Sequence, residues 1–163
     1  GEHGHCAELA GVSPTPVPVA GAPAAGAAAV DELSQPLLPP TFGNVNGTSE
    51  VLSNGYYIRV WLPAATVAGA TAAIGEDPGG GKAAGPFPDY SWPLQLGSTG
   101  RRVFFVNERG DVLQTQNRGA GPYTGTGNGP AFDAVYSVPG DMGSPVGIAG
   151  VAANDGRVWT LVQ

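Results

Sequence analysis

The chain has 163 residues, of which 27 are glycine, 16 are proline and 42% are hydrophobic. This length predicts one domain with a buried core, and the many breaker residues exclude an all-helical fold. The formal net charge of −6 argues against a nucleic-acid partner, and the single cysteine, Cys6, excludes an intrachain disulfide.

The N-terminal quarter is rich in proline and alanine and predicts a surface loop at about 12–40. Alternating prolines in Val12–Gly26 remove backbone donors, so we expect neither helix nor strand there. Cys6–Ala10 and Ala27–Leu33 are each compatible with a short helical turn.

A hairpin turn is predicted at Ser53-Asn54-Gly55, leading into a strand over Tyr56–Leu62. We expect its aliphatic face (Ile58, Val60 and Leu62) to lie in the core and its other face (Tyr57, Arg59 and Trp61) to point away. Downstream, Ala64–Ile74 fits either a helix or an alanine-rich loop, and Gly75–Lys82 predicts a loop.

The clearest pattern is a second hairpin, with strands on both sides of the turn Glu108–Asp111. We expect Val103 and Phe105 to be buried. Pro130–Tyr136 fits one or two helical turns with proline first. The turn Asn154–Gly156 indicates a hairpin between Pro145–Val151 and Arg157–Val162.

Together these elements predict an α+β, mostly β fold in a single domain spanning 1–163. It would contain an antiparallel sheet of hairpins, long Pro/Gly-rich loops and one or two short helices.

Metal-ligating residue types cluster only near the N-terminus, at Glu2, His3, His5, Cys6 and Glu8. A zinc site usually draws ligands from two separated segments, and no further histidine or cysteine follows. The same scarcity leaves a serine nucleophile without a base elsewhere, so we expect no enzyme activity.

The acidic residues of the loops could form a calcium site, because calcium binds carboxylate oxygens that come from irregular loops. Calcium is the one cofactor that the sequence suggests. The candidate ligands are Asp77, Asp133 and Asp141. No twelve-residue calcium-loop motif is present, so solvated loop acids are the favoured interpretation.

Three short motifs suggest surface chemistry. Asn46-Gly47-Thr48 matches an N-glycosylation acceptor, and Ser13 and Thr15 precede prolines as in O-glycosylated stalks. Arg109-Gly110-Asp111 spells an adhesive tripeptide, although a tight turn alone explains its glycine.

The tryptophans Trp61, Trp92 and Trp159 fit core packing better than a sugar-stacking platform.

Several segments carry a family resemblance: Gly1–His5, Ala7–Gly11, Ser53–Pro63, Tyr90–Pro93, Gly100–Asn107, Gly110–Leu113 and Asp155–Trp159. Their order resembles the globular heads of bacterial type IV pilin-like and type II secretion pseudopilin-like proteins, especially the planctomycete prepilin-type family. The resemblance implies an antiparallel sheet, a filament or secretion-apparatus subunit, and no catalytic residues. The long apolar N-terminal helix of that family is absent from this sequence.

We therefore expect an extracellular or cell-surface structural subunit of a bacterial filament or pseudopilus, with copies of itself or related subunits as partners. Its contacts would come from the loops Val12–Gly26, Gly75–Pro88 and Gly119–Gly129. The alternative is a secreted carbohydrate- or ligand-binding module that uses exposed aromatic residues. No stretch approaches roughly 18 apolar residues, so we expect no membrane contact by this sequence.

Overall fold

A computed structural model describes residues 10, 15–16, 29–31, 38–63, 73–75, 87–119 and 121–162. Their regular secondary structure is almost entirely β, with a 3₁₀ helix at Pro40–Gly43. Among them, no helix has the length and apolarity that a membrane span requires. The strands are β1 (Thr15–Pro16), β2 (Ala29–Asp31), β3 (Val51–Ser53), β4 (Tyr56–Pro63), β5 (Ala73–Gly75), β6 (Asp89–Pro93), β7 (Val103–Val106), β8 (Val112–Thr115) and β9 (Thr160–Leu161).

Six strands form the main antiparallel sheet in the order β3-β4-β6-β7-β8-β9, and β5 pairs with the end of β4. Strands β1 and β2 pair separately. The predicted antiparallel, mostly β fold is confirmed at this level.

Two of the three predicted hairpins, with turns at Asn54-Gly55 and at Glu108–Asp111, are present. In the first, Asn54 and Gly55 have φ values of 49° and 80°, the left-handed pair that a two-residue hairpin turn requires. In the second, the side-chain oxygen of Asn107 accepts the backbone N–H groups of Arg109 and Asp111, both at 3.0 Å. Each turn is therefore specified by residues within it.

The core is dominated by aromatic side chains on one face of the sheet. Tyr90, Trp92, Phe105 and Trp159 are almost fully buried. The Tyr90 and Phe105 ring centroids lie 5.2 Å apart, and Trp159 meets both rings edge-on. Val103 and Phe105 are buried as predicted.

The predicted inner face of β4 is wrong. Tyr57 is only 8% exposed and Trp61 packs against the core, whereas Ile58 and Val60 are half-buried. The reason is the register with β6, which places Tyr57 opposite Trp92 and joins their rings at 5.9 Å. Leu62 belongs to the strand, but its side chain lies outside the described residues.

Several predicted elements in the poorly patterned segments also need correction. Thr15–Pro16 and Ala29–Asp31 form a short strand pair where we expected a loop and a helical turn. Ala73–Gly75 is a strand, which pairs with Trp61–Pro63 of β4. Alanine is a weak guide to structure, and pairing with a distant strand decided these positions.

The C-terminal third differs from its prediction in two ways. Pro130–Tyr136 forms consecutive turns rather than an α-helix, with the Tyr136 N–H donating to the Asp133 carbonyl. Strand β9 pairs with β8 and not with Pro145–Val151. That segment is held elsewhere, because the Gly147 N–H donates to the Val135 carbonyl at 2.7 Å.

Replacing Phe105 by alanine should lower the free energy of unfolding by about 3 to 5 kcal/mol, because a fully buried ring leaves a cavity. Phe104 is the matched control, since it is half-buried on the opposite face. Phe104→Ala should cost about 1 to 2 kcal/mol. Urea unfolding of both variants measures this, and equal losses would contradict the assigned face.

Candidate functional site

The loop at 119–129, described except for residue 120, is fastened to the sheet by buried polar side chains. The Asn117 amide bridges Tyr123, accepting its N–H and donating to its carbonyl, both at 2.8 Å. The Glu50 carboxylate, in a residue 1% exposed, accepts the Gly127 N–H at 2.9 Å. These bonds position the loop over the end of the sheet.

Aromatic side chains hold the same loop from the core side. The Trp92 indole N–H donates to the Gly125 carbonyl at 2.9 Å, and the Tyr57 and Thr126 hydroxyls lie 2.6 Å apart. The loop is therefore ordered by its own chain. Contact of the Gly119–Gly129 loop with other subunits stays a prediction; most of the other two loops, Val12–Gly26 and Gly75–Pro88, lies outside the described residues.

A second polar cluster lies at the end of the chain. Asp155 accepts the Arg157 N–H at 2.9 Å, the Trp159 indole N–H at 3.2 Å and the Tyr123 hydroxyl at 3.1 Å. The Arg157 guanidinium stacks 4.3 Å over the Tyr123 ring and donates to the Gly121 carbonyl at 2.7 Å. Sequence analysis missed this cluster, although the spacing of Asp155, Arg157 and Trp159 is local.

Three phenol groups in this region resist ionisation. Burial, followed by the negative charge of Asp155, raises the pKa of Tyr123 to about 12. Burial also raises the pKa of Tyr90 and Tyr136. The Tyr90 hydroxyl donates to the Phe132 carbonyl, whereas the buried Tyr136 hydroxyl has no hydrogen-bond partner among the described residues.

Two of the predicted calcium ligands, Asp133 and Asp141, are described, and their carboxylates accept hydrogen bonds from neighbouring loop residues. One Asp133 oxygen accepts the Gly140 N–H and the Asn154 side-chain amide, both at 2.8 Å, and Asp141 accepts the Gly143 N–H at 2.8 Å. The described residues contain no group of three or more histidine, cysteine, aspartate or glutamate side chains placed to share a metal ion. Asp77 lies outside them, as do His3, His5, Cys6 and Ser13.

The proposed glycan acceptor Asn46 is built into a turn. Its oxygen accepts the Thr48 hydroxyl at 2.8 Å and the Glu50 N–H at 2.9 Å. Its amide nitrogen donates to the Glu50 carboxylate at 3.0 Å. The other acceptor candidate in the described part, Thr15, lies in β1.

The tryptophans do not form an exposed platform. Trp92 and Trp159 are buried in the core, and Trp61 is half-buried against Phe132 with the Arg59 guanidinium 3.7 Å over its ring. Trp92 and Trp159 are therefore not among the exposed aromatic residues that the ligand-binding alternative needs. Our preference for packing is confirmed for Trp92 and Trp159.

One concave polar surface of the described residues lies where the β7–β8 hairpin is open, at the chain segments before β7 and after β8. We call it the arginine groove. It encloses about 330 Å³ and is lined by Leu96, Gly97, Arg101, Gln116, Asn117 and Arg118. A neighbouring groove of about 380 Å³ shares Gln116 and Arg118 with it.

Comparison with known proteins gives no relative, because no family model, curated protein or solved structure matches this chain. The site must therefore be interpreted from its own residues.

Glu50→Ala should lower the free energy of unfolding by about 2 to 3 kcal/mol, because it removes the charged acceptor of the Gly127 N–H and of the Asn46 side-chain amide. Hydrogen exchange at Gly127 should accelerate with it. Thr48→Ala is the control, since it removes an exposed hydroxyl bond to the same turn. An equal effect of the two substitutions on urea unfolding and on Gly127 exchange would contradict the anchoring role of Glu50.

Alkaline pH should destabilise the protein between about pH 10 and 12. The pKa of Tyr123 is about 12 in the fold against an ordinary 10.0, so unfolding becomes linked to proton loss in this window. The stabilisation is complete below the lower value and is lost as pH rises through the higher one. Urea unfolding at stepped pH measures this, and Tyr123→Phe should flatten the fall; unchanged stability across the window would contradict it.

Proposed function

We propose that this chain is the globular head of a structural subunit that assembles into a filament or pseudopilus. The observation that carries the proposal is the use of buried polar side chains to hold backbone. Glu50, Asn107, Asn117 and Asp133 each accept N–H groups from loops or turns. Such bonds make a rigid body whose surface has a fixed shape, which repeated subunit contacts require.

The surface beside the last strand also supports assembly. Val158 is 79% exposed, and Leu161 and Val162 are exposed as well. Leu161 belongs to β9, a two-residue strand at the edge of the sheet, and Val158 and Val162 lie on either side of it. Exposed apolar residues beside a sheet edge are typical of surfaces that associate with another chain.

The resemblance to pilin-like heads adds the setting of this function. The segments Ser53–Pro63, Gly100–Asn107 and Gly110–Leu113, which carry part of it, contain β4, β7 and the first residues of β8. On this proposal the protein works outside the cell or at the bacterial surface, and its partners are copies of itself or related subunits.

Assembly is tested with the full 163-residue chain. Sedimentation velocity over micromolar to millimolar concentrations should show reversible growth beyond the monomer, because each contact between exposed surfaces is individually weak. Negative-stain microscopy should then show particles of uniform width. A protein that remains monomeric up to its solubility limit, in low and high salt, would overturn the proposal.

A further inference from the structure

The β7–β8 hairpin has two ends of different character. Its register pairs Val103 with Thr115 at the open end and Val106 with Val112 beside the turn. Arg102 and Glu108 are six positions apart, which corresponds to about 20 Å in extended chain. Charges placed at the two ends are therefore well separated on one rigid element.

The open end is basic. Arg101, Arg102 and Arg118 are exposed there. Arg157 lies beside them and donates to the Arg118 carbonyl at 3.1 Å. These four are a majority of the chain's 7 basic residues. The nearby acid Asp155 lies 3.6 Å from the Arg157 guanidinium and offsets its charge. The remaining arginines, Arg101, Arg102 and Arg118, give this end a positive net charge.

The turn end is acidic. Glu108 and Asp111 lie in the turn, and Arg109 is the one basic residue between them, 3.7 Å from Glu108. Burial raises the pKa of Tyr136; the negative charges of Glu108 and Asp141 raise it further, and the charge of Arg109 lowers it. Within the turn itself, the acids Glu108 and Asp111 outnumber the single base Arg109.

The two ends also differ in shape. The open end contains the arginine groove of about 330 Å³. The turn end presents the exposed residues Glu108, Arg109 and Gly110 on a tight turn. A protruding acidic turn and a concave basic groove are complementary in both charge and form.

We propose that the turn end of one copy docks into the arginine groove of a second copy, with Glu108 facing Arg101 and Arg118. This inference rests on the proposed assembly and specifies its contact. The two surfaces are different, so the contact is heterologous and each added copy exposes a fresh groove and a fresh turn. Growth in one direction follows, and the contact should weaken as salt screens the exposed charges.

The test compares self-association of matched variants by sedimentation in low salt. Arg101→Gln with Arg118→Gln removes two positive charges from the groove. The control, Leu52→Glu with Ala131→Glu, lowers the net charge equally at exposed positions outside it. The groove variant should lose about tenfold in association constant, as expected for two exposed ion pairs, while the control stays near the unmodified chain.

A mixing experiment tests the direction of the contact. Glu108→Lys should weaken the turn and leave the groove intact, so this variant and the groove variant should each associate poorly alone. Mixed in equal amounts, they should form one-to-one dimers that do not grow further. Urea unfolding checks that every variant folds as the unmodified chain does.

The outcomes separate the two proposals. An unmodified chain that never associates overturns both assembly and docking. If the unmodified chain assembles and the groove variant associates as strongly as the charge control, the docking alone is overturned. An equal loss of association in both variants would show an effect of net charge, and so would overturn it too. A mixture that yields no dimer also overturns the docking.

Discussion

The burial of Trp92 is the constraint on which the rest of the structure depends. Its ring lies between the sheet and the 119–129 loop, pairs with Tyr57 across β4 and β6, and uses its indole N–H to hold the Gly125 carbonyl. A Cβ at Gly129 would lie 2.5 Å from that ring, so only glycine allows the loop to approach. One side chain thus selects the inner face of the sheet and positions the loop above it.

Buried polar groups act together with the aromatic core to hold the 119–129 loop. A glycine-rich loop gains little from apolar burial and loses much conformational entropy when it is ordered. Glu50 and Asn117 offset this loss because their buried side chains accept backbone N–H groups of the loop. Their hydrogen-bonding capacity is thus engaged in holding the loop in place.

Local signals predicted the hairpins, while long-range pairing decided the rest. Asn54-Gly55 and the Asn107 turn specify themselves within a few residues. The faces of β4 are both apolar, so its sequence does not reveal that Trp92, more than thirty positions away, selects Tyr57. The arginine groove was not predicted for the same reason: Arg101 and Arg118 line one groove because the pairing of β7 with β8 brings the two chain segments together.

The charged ends of the β7–β8 hairpin show how a rigid core allows a variable surface. The inner face of the hairpin, with Val103, Phe105 and Leu113, fixes its position in the sheet. The turn is held by Asn107, whose side-chain amide also donates to the Asp111 carboxylate at 3.0 Å, and the open end is held by strand pairing. Glu108 at the turn and Arg101 and Arg118 at the open end take no part in these bonds, so their charges can change without disturbing the core. On the proposed docking, contact specificity and stability therefore rest on different residues of the same hairpin.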